Sequence, residues 1–145
     1  MTETDVRSMD LRPRPEPNET NAFFWDAAAG HQLVLQRCDA CSQFQYPPDV
    51  ACVHCQCTEL TPTEMSGRAT LYSYAVVDRL FHVGFASVLP YVVGLAELDE
   101  QAGLRMLTNI VDTRPEEVQI GMPLEVCFED RGEITLPQFR PRGDA

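Results

Sequence analysis

The chain has 145 residues and a formal net charge of −11, with 22 acidic residues against 11 basic ones, all of them arginine. Clustered cations supply affinity for a phosphate backbone, so this balance disfavours general nucleic-acid binding. No run of 18 apolar residues is present to cross a membrane as a helix. The length gives room for one ordinary domain or two very small ones. Met1 to Asp10 is polar and lacks the apolar region of a secretory signal, so the expected location is cytoplasmic. In that setting the six cysteines point to metal or free thiols before disulfides.

Residues 1–17 carry Arg12-Pro-Arg-Pro-Glu-Pro17 without periodicity and read as a flexible or extended arm. Residues 18–30 read as a helix. Asn18 or Thr20 can cap its start, Phe23, Phe24, Ala27 and Ala28 form an apolar face, and Gly30 ends it. So short a helix is marginal alone in water and must pack, on its own domain or on a partner. Residues 31–62 hold five of the six cysteines, with a short strand at Leu33, Val34 and Leu35 leading into the first pair and breaks at Pro47-Pro48 and Pro62.

Residues 63–140 read as β. Strands are expected near 68–78, 91–98, 104–112, 124–129 and 133–136. Asp99 to Gly103 and Arg131-Gly132 form turns, and Pro115-Glu-Glu-Val118 forms one helical turn. Residues 141–145 are left as a tail. Five short strands with one helical insertion suit a small closed barrel such as an OB-fold. The class is therefore mainly β: a short N-terminal helix, a cysteine-rich ribbon and a five-stranded barrel.

Cys38-x2-Cys41 and Cys52-x2-Cys55 are separated by ten residues. Two such turns can aim four thiolates at one tetrahedral centre, with zinc–sulfur distances of about 2.3 Å. Four protein ligands leave no open position for water, so such a site is structural. The spacing admits iron as well as zinc. A segment of this size buries too little apolar surface to fold alone, and zinc binding can contribute on the order of 10 kcal/mol. Cys57 and His54 adjoin the second pair as alternative ligands. Cys127 lies between Glu125 and Glu129 on an expected strand, where the acids oppose thiolate formation, so it reads as structural.

Nothing resembles reaction machinery. His31, His54 and His82 fall in no motif with a nucleophile, and Gly-x-Ser-x-Gly, a glycine-rich phosphate loop and His-Glu-x-x-His are all missing. One loop is unusual. Residues 80–89 are nearly all apolar, although loops normally face water. Exposed side chains of Phe81, Val83, Phe85, Val88 and Leu89 would form a patch for a partner or an acyl chain; the alternative is a lid folded over the barrel.

Several passages in order resemble the DUF35 family. They are Phe24-Trp25 with Gly30, Leu33-Val-Leu-Gln-Arg-Cys-Asp-Ala-Cys41, Tyr46-Pro-Pro48, Cys52-x-x-Cys55 and Ser66-Gly-Arg-Ala-Thr-Leu-Tyr-Ser-Tyr74. Leu89-Pro-Tyr-Val-Val93, Asn109-Ile-Val-Asp112 and Ile120-Gly-Met-Pro-Leu-Glu-Val126 continue the match, which covers about residues 20–140. Ala69 stands where glycine is common and Val53 where proline is common; neither change removes a ligand.

The resemblance implies an N-terminal helix, a rubredoxin-like zinc ribbon and an acyl-CoA-associated OB-fold. It implies a non-catalytic accessory subunit of a thiolase-type enzyme or of an aldolase with a thiolase fold, with steroid side-chain degradation as one setting. MaoC-type hydratases are a further class of partner. A CoA thioester is then a candidate ligand, with Arg37, Arg68, Arg79 and Arg105 as candidates for its phosphates. Two other readings remain in play: a nucleic-acid-binding ribbon and barrel, and a stand-alone enzyme acting on acyl-CoA.

Overall fold

The computed structural model describes residues 11–143. The outer parts of the expected arm and tail, residues 1–10 and 144–145, lie outside them. A helix α1 (Ala22–Ala29) leads into strands β1 (Val34–Cys38), β2 (Phe44–Gln45) and β3 (Leu60–Glu64), which form a three-stranded sheet in the order β2-β1-β3. Then come β4 (Arg68–Val77), β5 (Tyr91–Leu98), β6 (Arg105–Ile110), β7 (Pro123–Arg131) and β8 (Ile134–Pro141), which close a barrel in the order β4-β5-β6-β8-β7. Single 3-10 turns occur at Val83–Phe85 and Pro115–Glu117. The class is mainly β, as the turn and strand signals indicate.

The helix starts later than expected. The Asn18 side chain accepts from the backbone N–H groups of Thr20 and Asn21 and forms a turn ahead of it. Gly30 closes it: its N–H bonds the Ala27 carbonyl, and the following His31 N–H bonds that of Ala28. Phe24 and Ala28 are buried against the chain's own core. That core is continuous: Phe24 of the helix, Leu33 beside β1, Leu35 on β1, and Leu71, Leu98, Leu124 and Phe139 of the barrel pack together. Burying each such side chain contributes roughly 1.5–3 kcal/mol.

Barrel strands alternate as a half-buried sheet requires, most cleanly in β5, where Val92, Gly94, Ala96 and Leu98 point inward. Gly94 is needed for space. A methyl group there would lie 2.8 Å and 2.9 Å from Ile110 carbons and 3.0 Å from Leu71. The last strand runs five residues beyond its expected end at 136, because Pro137 and Pro141 read as breakers. Ladder alternation explains their tolerance. The Arg142 N–H bonds Pro123 on β7, whereas the Phe139 carbonyl accepts from Val111 beyond β6. The odd-numbered residues of β8 therefore face β6, where only Ile110 and Phe139 pair, so neither proline removes a ladder donor.

The open stretch between β6 and β8 is bridged by a side chain. Gln138, nearly buried, accepts from the Asn109 N–H at 2.9 Å and from the Thr108 hydroxyl at 3.1 Å. Within the expected flexible or extended arm, residues 11–14 are held against the barrel. Arg12 pairs with Glu129 at 2.9 Å, and the buried Arg131 donates to the Arg12 and Pro13 carbonyls. A buried guanidinium left unpaired would be costly, and these partners fix the chain in place.

Besides the shared core, a side chain in the β5–β6 turn ties the ribbon to the barrel. Gln101 accepts from the Phe44 N–H at 2.8 Å and donates to the Phe44 carbonyl at 3.0 Å, as a neighbouring strand would. Replacing it by leucine keeps the bulk and leaves the Phe44 N–H without its partner, at a cost of about 1–3 kcal/mol. Gln101→Leu is expected to lower the melting temperature and to speed amide exchange at Phe44 while barrel amides stay slow. Uniform exchange across the chain would refute that role.

Candidate metal centre and docking surface

Two matched turns build the cysteine site. In the first, the Ser42 N–H bonds the Cys38 carbonyl and the Cys38 N–H bonds the Gln43 carbonyl. In the second, the Gln56 N–H bonds the Cys52 carbonyl and the Cys52 N–H bonds the Cys57 carbonyl. Ser42 and Gln56 both adopt positive φ, 64° and 67°, so each turn reverses the chain directly after its second cysteine. Backbone donors also point at sulfur: Cys41 N lies 3.5 Å from Cys38 Sγ and His54 N lies 3.3 Å from Cys52 Sγ.

The four Sγ atoms of Cys38, Cys41, Cys52 and Cys55 all lie within 4.8 Å of one another. Cys38–Cys55 is 3.5 Å and Cys41–Cys52 is 3.6 Å. A tetrahedron with metal–sulfur bonds of about 2.3 Å has edges of about 3.8 Å. The donor set and its spacing therefore fit a four-coordinate metal ion. Cys57 Sγ lies outside the cluster and accepts from the Glu59 N–H, while His54 Nε2 sits 3.2 Å from the Phe44 carbonyl oxygen.

The thiols do not ionise alike. The Cys41 backbone N–H, opposed by burial, brings Cys38 down to about 6. At Cys55 the Cys57 N–H lowers the value, but the neighbouring Cys38 sulfur, burial and the other two thiols outweigh it and push it up to about 12. Cys41 is also raised: its Gln43 N–H contact is outweighed by burial and by the Cys52 and Cys38 sulfurs. One thiolate forms readily and the next ones are resisted, which is the condition a divalent cation relieves.

The loop to the second turn has no helix or strand, and two buried glutamines hold it. Gln36 on β1 donates to the Asp49 carbonyl and accepts from the Asp49 N–H, both at 2.9 Å. Gln45 on β2 donates to Gln36 and to the Ala51 carbonyl and accepts from the Val53 N–H. This clip carries Cys52 to the cluster. Sequence reasoning missed it, although polar residues at inward strand positions beside the cysteines were the available signal.

The apolar loop divides between the two expected roles. Phe85 folds back, with its ring 5.2 Å from Tyr91, and Leu89 is half-buried. Phe81 and Val83 point outward at 77% and 66% exposure, and Val88 is also exposed. Gly84 lets the loop touch the arm, since a methyl group there would collide with the Leu11 carbonyl. Beneath Phe85 lies an aromatic pocket of about 350 Å³, walled by Trp25, Tyr46, Phe85, Tyr91 and Leu107. The Trp25 Nε1 is buried there without a hydrogen-bond partner.

The four candidate arginines do not converge. Arg37 lies 5.6 Å over the Phe44 ring on the ribbon. Arg68 borders a shallow hollow with Ser66, Asp99 and Glu100, and Arg79 is exposed beyond β4. Arg105 stacks 3.6 Å over Tyr72 and pairs with Glu97 at 3.1 Å. None of them lines the aromatic pocket. The histidines are engaged elsewhere: His31 stacks on Phe128 and contacts Asp130, and His82 Nδ1 accepts from the Gly84 N–H. Burial, opposed by Arg140 and supported by Asp112, Glu125 and Glu129, raises the Cys127 thiol, which makes it a poor nucleophile. Among the described residues no helix is long and apolar enough to cross a membrane.

Comparison with known proteins matches both parts of this architecture. The family described as the rubredoxin-like zinc ribbon domain of ChsH2 matches residues 25–60, and the C-terminal OB-fold domain of ChsH2 matches residues 62–129. A "Probable enoyl-CoA hydratase alpha subunit" from Thermomonospora curvata is 41% identical over 96% of the chain. A "3-oxo-4,17-pregnadiene-20-carboxyl-CoA hydratase alpha subunit" from Mycobacterium tuberculosis is 32% identical over 91%. The chain spans only 43% and 41% of the lengths of those two relatives. A "DUF35 domain-containing scaffold protein" from Methanocaldococcus jannaschii is 36% identical over 75% of the chain and 81% of the relative. In the solved structure "Ltp2-ChsH2(DUF35) aldolase", one chain superposes with a TM-score of 0.78 at 41% identity, covering 88% of this chain and 98% of that one. With its four-cysteine ribbon and closed five-stranded barrel, the chain belongs to the DUF35 family, in the ChsH2 group of zinc-ribbon and OB-fold proteins.

Proposed function

We propose that the chain is a non-catalytic accessory subunit that docks on, and supports, an acyl-CoA enzyme of the aldolase or thiolase type. The observation that carries this reading is the superposition on 98% of a chain in the Ltp2-ChsH2(DUF35) aldolase at 41% identity. The hydratase alpha-subunit names of two relatives support a hydratase as a further partner and a steroid acyl-CoA as the substrate of the assembly. The scaffold name of the archaeal relative supports the same division of labour.

In this reading Cys38, Cys41, Cys52 and Cys55 hold a structural Zn²⁺, which draws the two turns together and contributes folding energy. The ribbon and barrel then act as one rigid body through Gln101. Phe81 and Val83 form the outward part of the docking patch, with Val88 beside them; Phe85 and Leu89 support it from beneath. The aromatic pocket accepts part of an acyl chain. Because the four arginines are dispersed, any CoA phosphates are held largely by the partner.

Three outcomes test this function. Cys38→Ser is expected to drop metal content from one equivalent of zinc to none, measured by elemental analysis, and to unfold the ribbon; a full equivalent retained would remove Cys38 from the ligand set. Zinc uptake by the metal-free protein at pH 7 is expected to expel two or more protons, because Cys41 and Cys55 stay protonated there without metal. Calorimetry in buffers of different ionisation enthalpy measures this, and retention of zinc falls as pH falls. Finally, Phe81→Asp is expected to weaken capture of a co-expressed Ltp2-type aldolase by roughly tenfold or more with zinc content unchanged. Equal capture would take that loop out of the interface.

A further inference from the structure

Strand β4 runs ten residues, and only its first part is paired on both sides. Arg68, Ala69 and Thr70 pair with β7, and Leu71 exchanges bonds with Gly121 and Met122. The pairing with β5 has a bulge between Leu71 and Ser73 and continues from Ser73 to Val77, whereas that with β7 goes no further. Among the described residues, nothing pairs with the other edge of Tyr72–Val77.

The direction of each backbone group follows from alternation in an antiparallel ladder. Asp99 N–H bonds the Arg68 carbonyl, so odd residues of β5 face β4; the Leu98 N–H bonds Leu104, so even ones face β6. Ser73, Ala75 and Val77 oppose Leu95, Val93 and Tyr91, and so bond inward to β5. Tyr74 and Val76 oppose Gly94 and Val92, and their N–H and C=O groups point away from the barrel. Two donors and two acceptors thus stand in a row at an open edge. Natural sheets blunt such edges with charge, proline or very short strands. The segment Tyr72-Ser-Tyr-Ala-Val-Val77 has no charge and no proline, and Tyr72, Tyr74 and Val76 are exposed. Its charges begin only at Asp78-Arg79, and the apolar loop follows directly.

We propose that this edge receives an extended strand of the partner enzyme subunit, which continues the barrel sheet outward. The inference rests on the accessory-subunit reading above and specifies how that subunit is held. A strand is the occupant that satisfies alternating donors and acceptors at this spacing, and its side chains would lie beside Tyr74 and Val76. Adjacent Phe81 and Val83 make the edge and the exposed loop one continuous surface.

Val76→Pro deletes an outward donor that no ladder uses, so the barrel tolerates it. Val76→Thr keeps the donor and the shape. With a co-expressed Ltp2-type aldolase as probe, Val76→Pro is expected to cut capture about tenfold or more, and Val76→Thr by less than about threefold. Hydrogen exchange on the unmodified chain gives a second measure that needs no variant: the Tyr74 and Val76 amides are expected to slow at least about tenfold in the complex. If the aldolase binds while both amides stay fast and Val76→Pro binds equally, strand addition is wrong and the accessory-subunit reading stands. If the unmodified chain fails to capture the aldolase, both fall. A homodimer seen by light scattering and dissolved by Val76→Pro would assign the edge to a second copy and overturn the proposal.

Discussion

Four sulfur atoms within 4.8 Å of one another are stable only if something offsets their mutual repulsion as they ionise. The spread between Cys38 at about 6 and Cys55 at about 12 expresses that conflict. A divalent cation resolves it, and the rest of the ribbon depends on that resolution. The ribbon strands are short, with β2 only two residues long. Such a sheet has little apolar surface of its own; it gains its core by lending Leu33 and Leu35 to the barrel. The cation therefore organises one end of a core that the barrel completes at the other.

Side chains replace backbone pairing wherever regular structure runs out. Gln101 completes the edge strand β2, Gln36 and Gln45 hold the loop to Cys52, and Gln138 spans the open stretch between β6 and β8. A glutamine amide carries a donor and an acceptor in the geometry of a peptide group, so it can stand in for a missing strand neighbour. Each of these residues ties together stretches of chain that no backbone ladder joins. Arg131 does the same for residues 12 and 13.

The surface left over is unusual for a protein with such an acidic net charge. Its exposed apolar groups gather on the loop after β4, on β4 itself and around the aromatic pocket. His31 and His82 are engaged in structural contacts, and burial raises the Cys127 thiol. Exposed apolar surface and a metal site closed by four protein sulfurs are what the proposed accessory role would use. Exposed apolar area of this kind is costly in a lone protein and is covered in an assembly.

Much of this was legible in order along the chain. The paired Cys-x2-Cys turns named their four sulfurs because ligand spacing is a local property of a turn. Strand positions from β4 to β7 followed from β-branched runs and turn residues, and the family resemblance placed ribbon and barrel together. Three features were hidden. The prolines of β8 read as stops because their tolerance depends on which neighbour each residue faces. The surroundings of the four candidate arginines were hidden too, because sequence does not say that Arg105 stacks on Tyr72. The free edge of β4 arises from where β7 begins, at Pro123 opposite Thr70. By itself the sequence determined the local chemistry: ligand spacing, turn geometry, burial pattern and charge. Tertiary structure alone decided which groups meet and which are left open, because both depend on pairing between residues far apart in the chain.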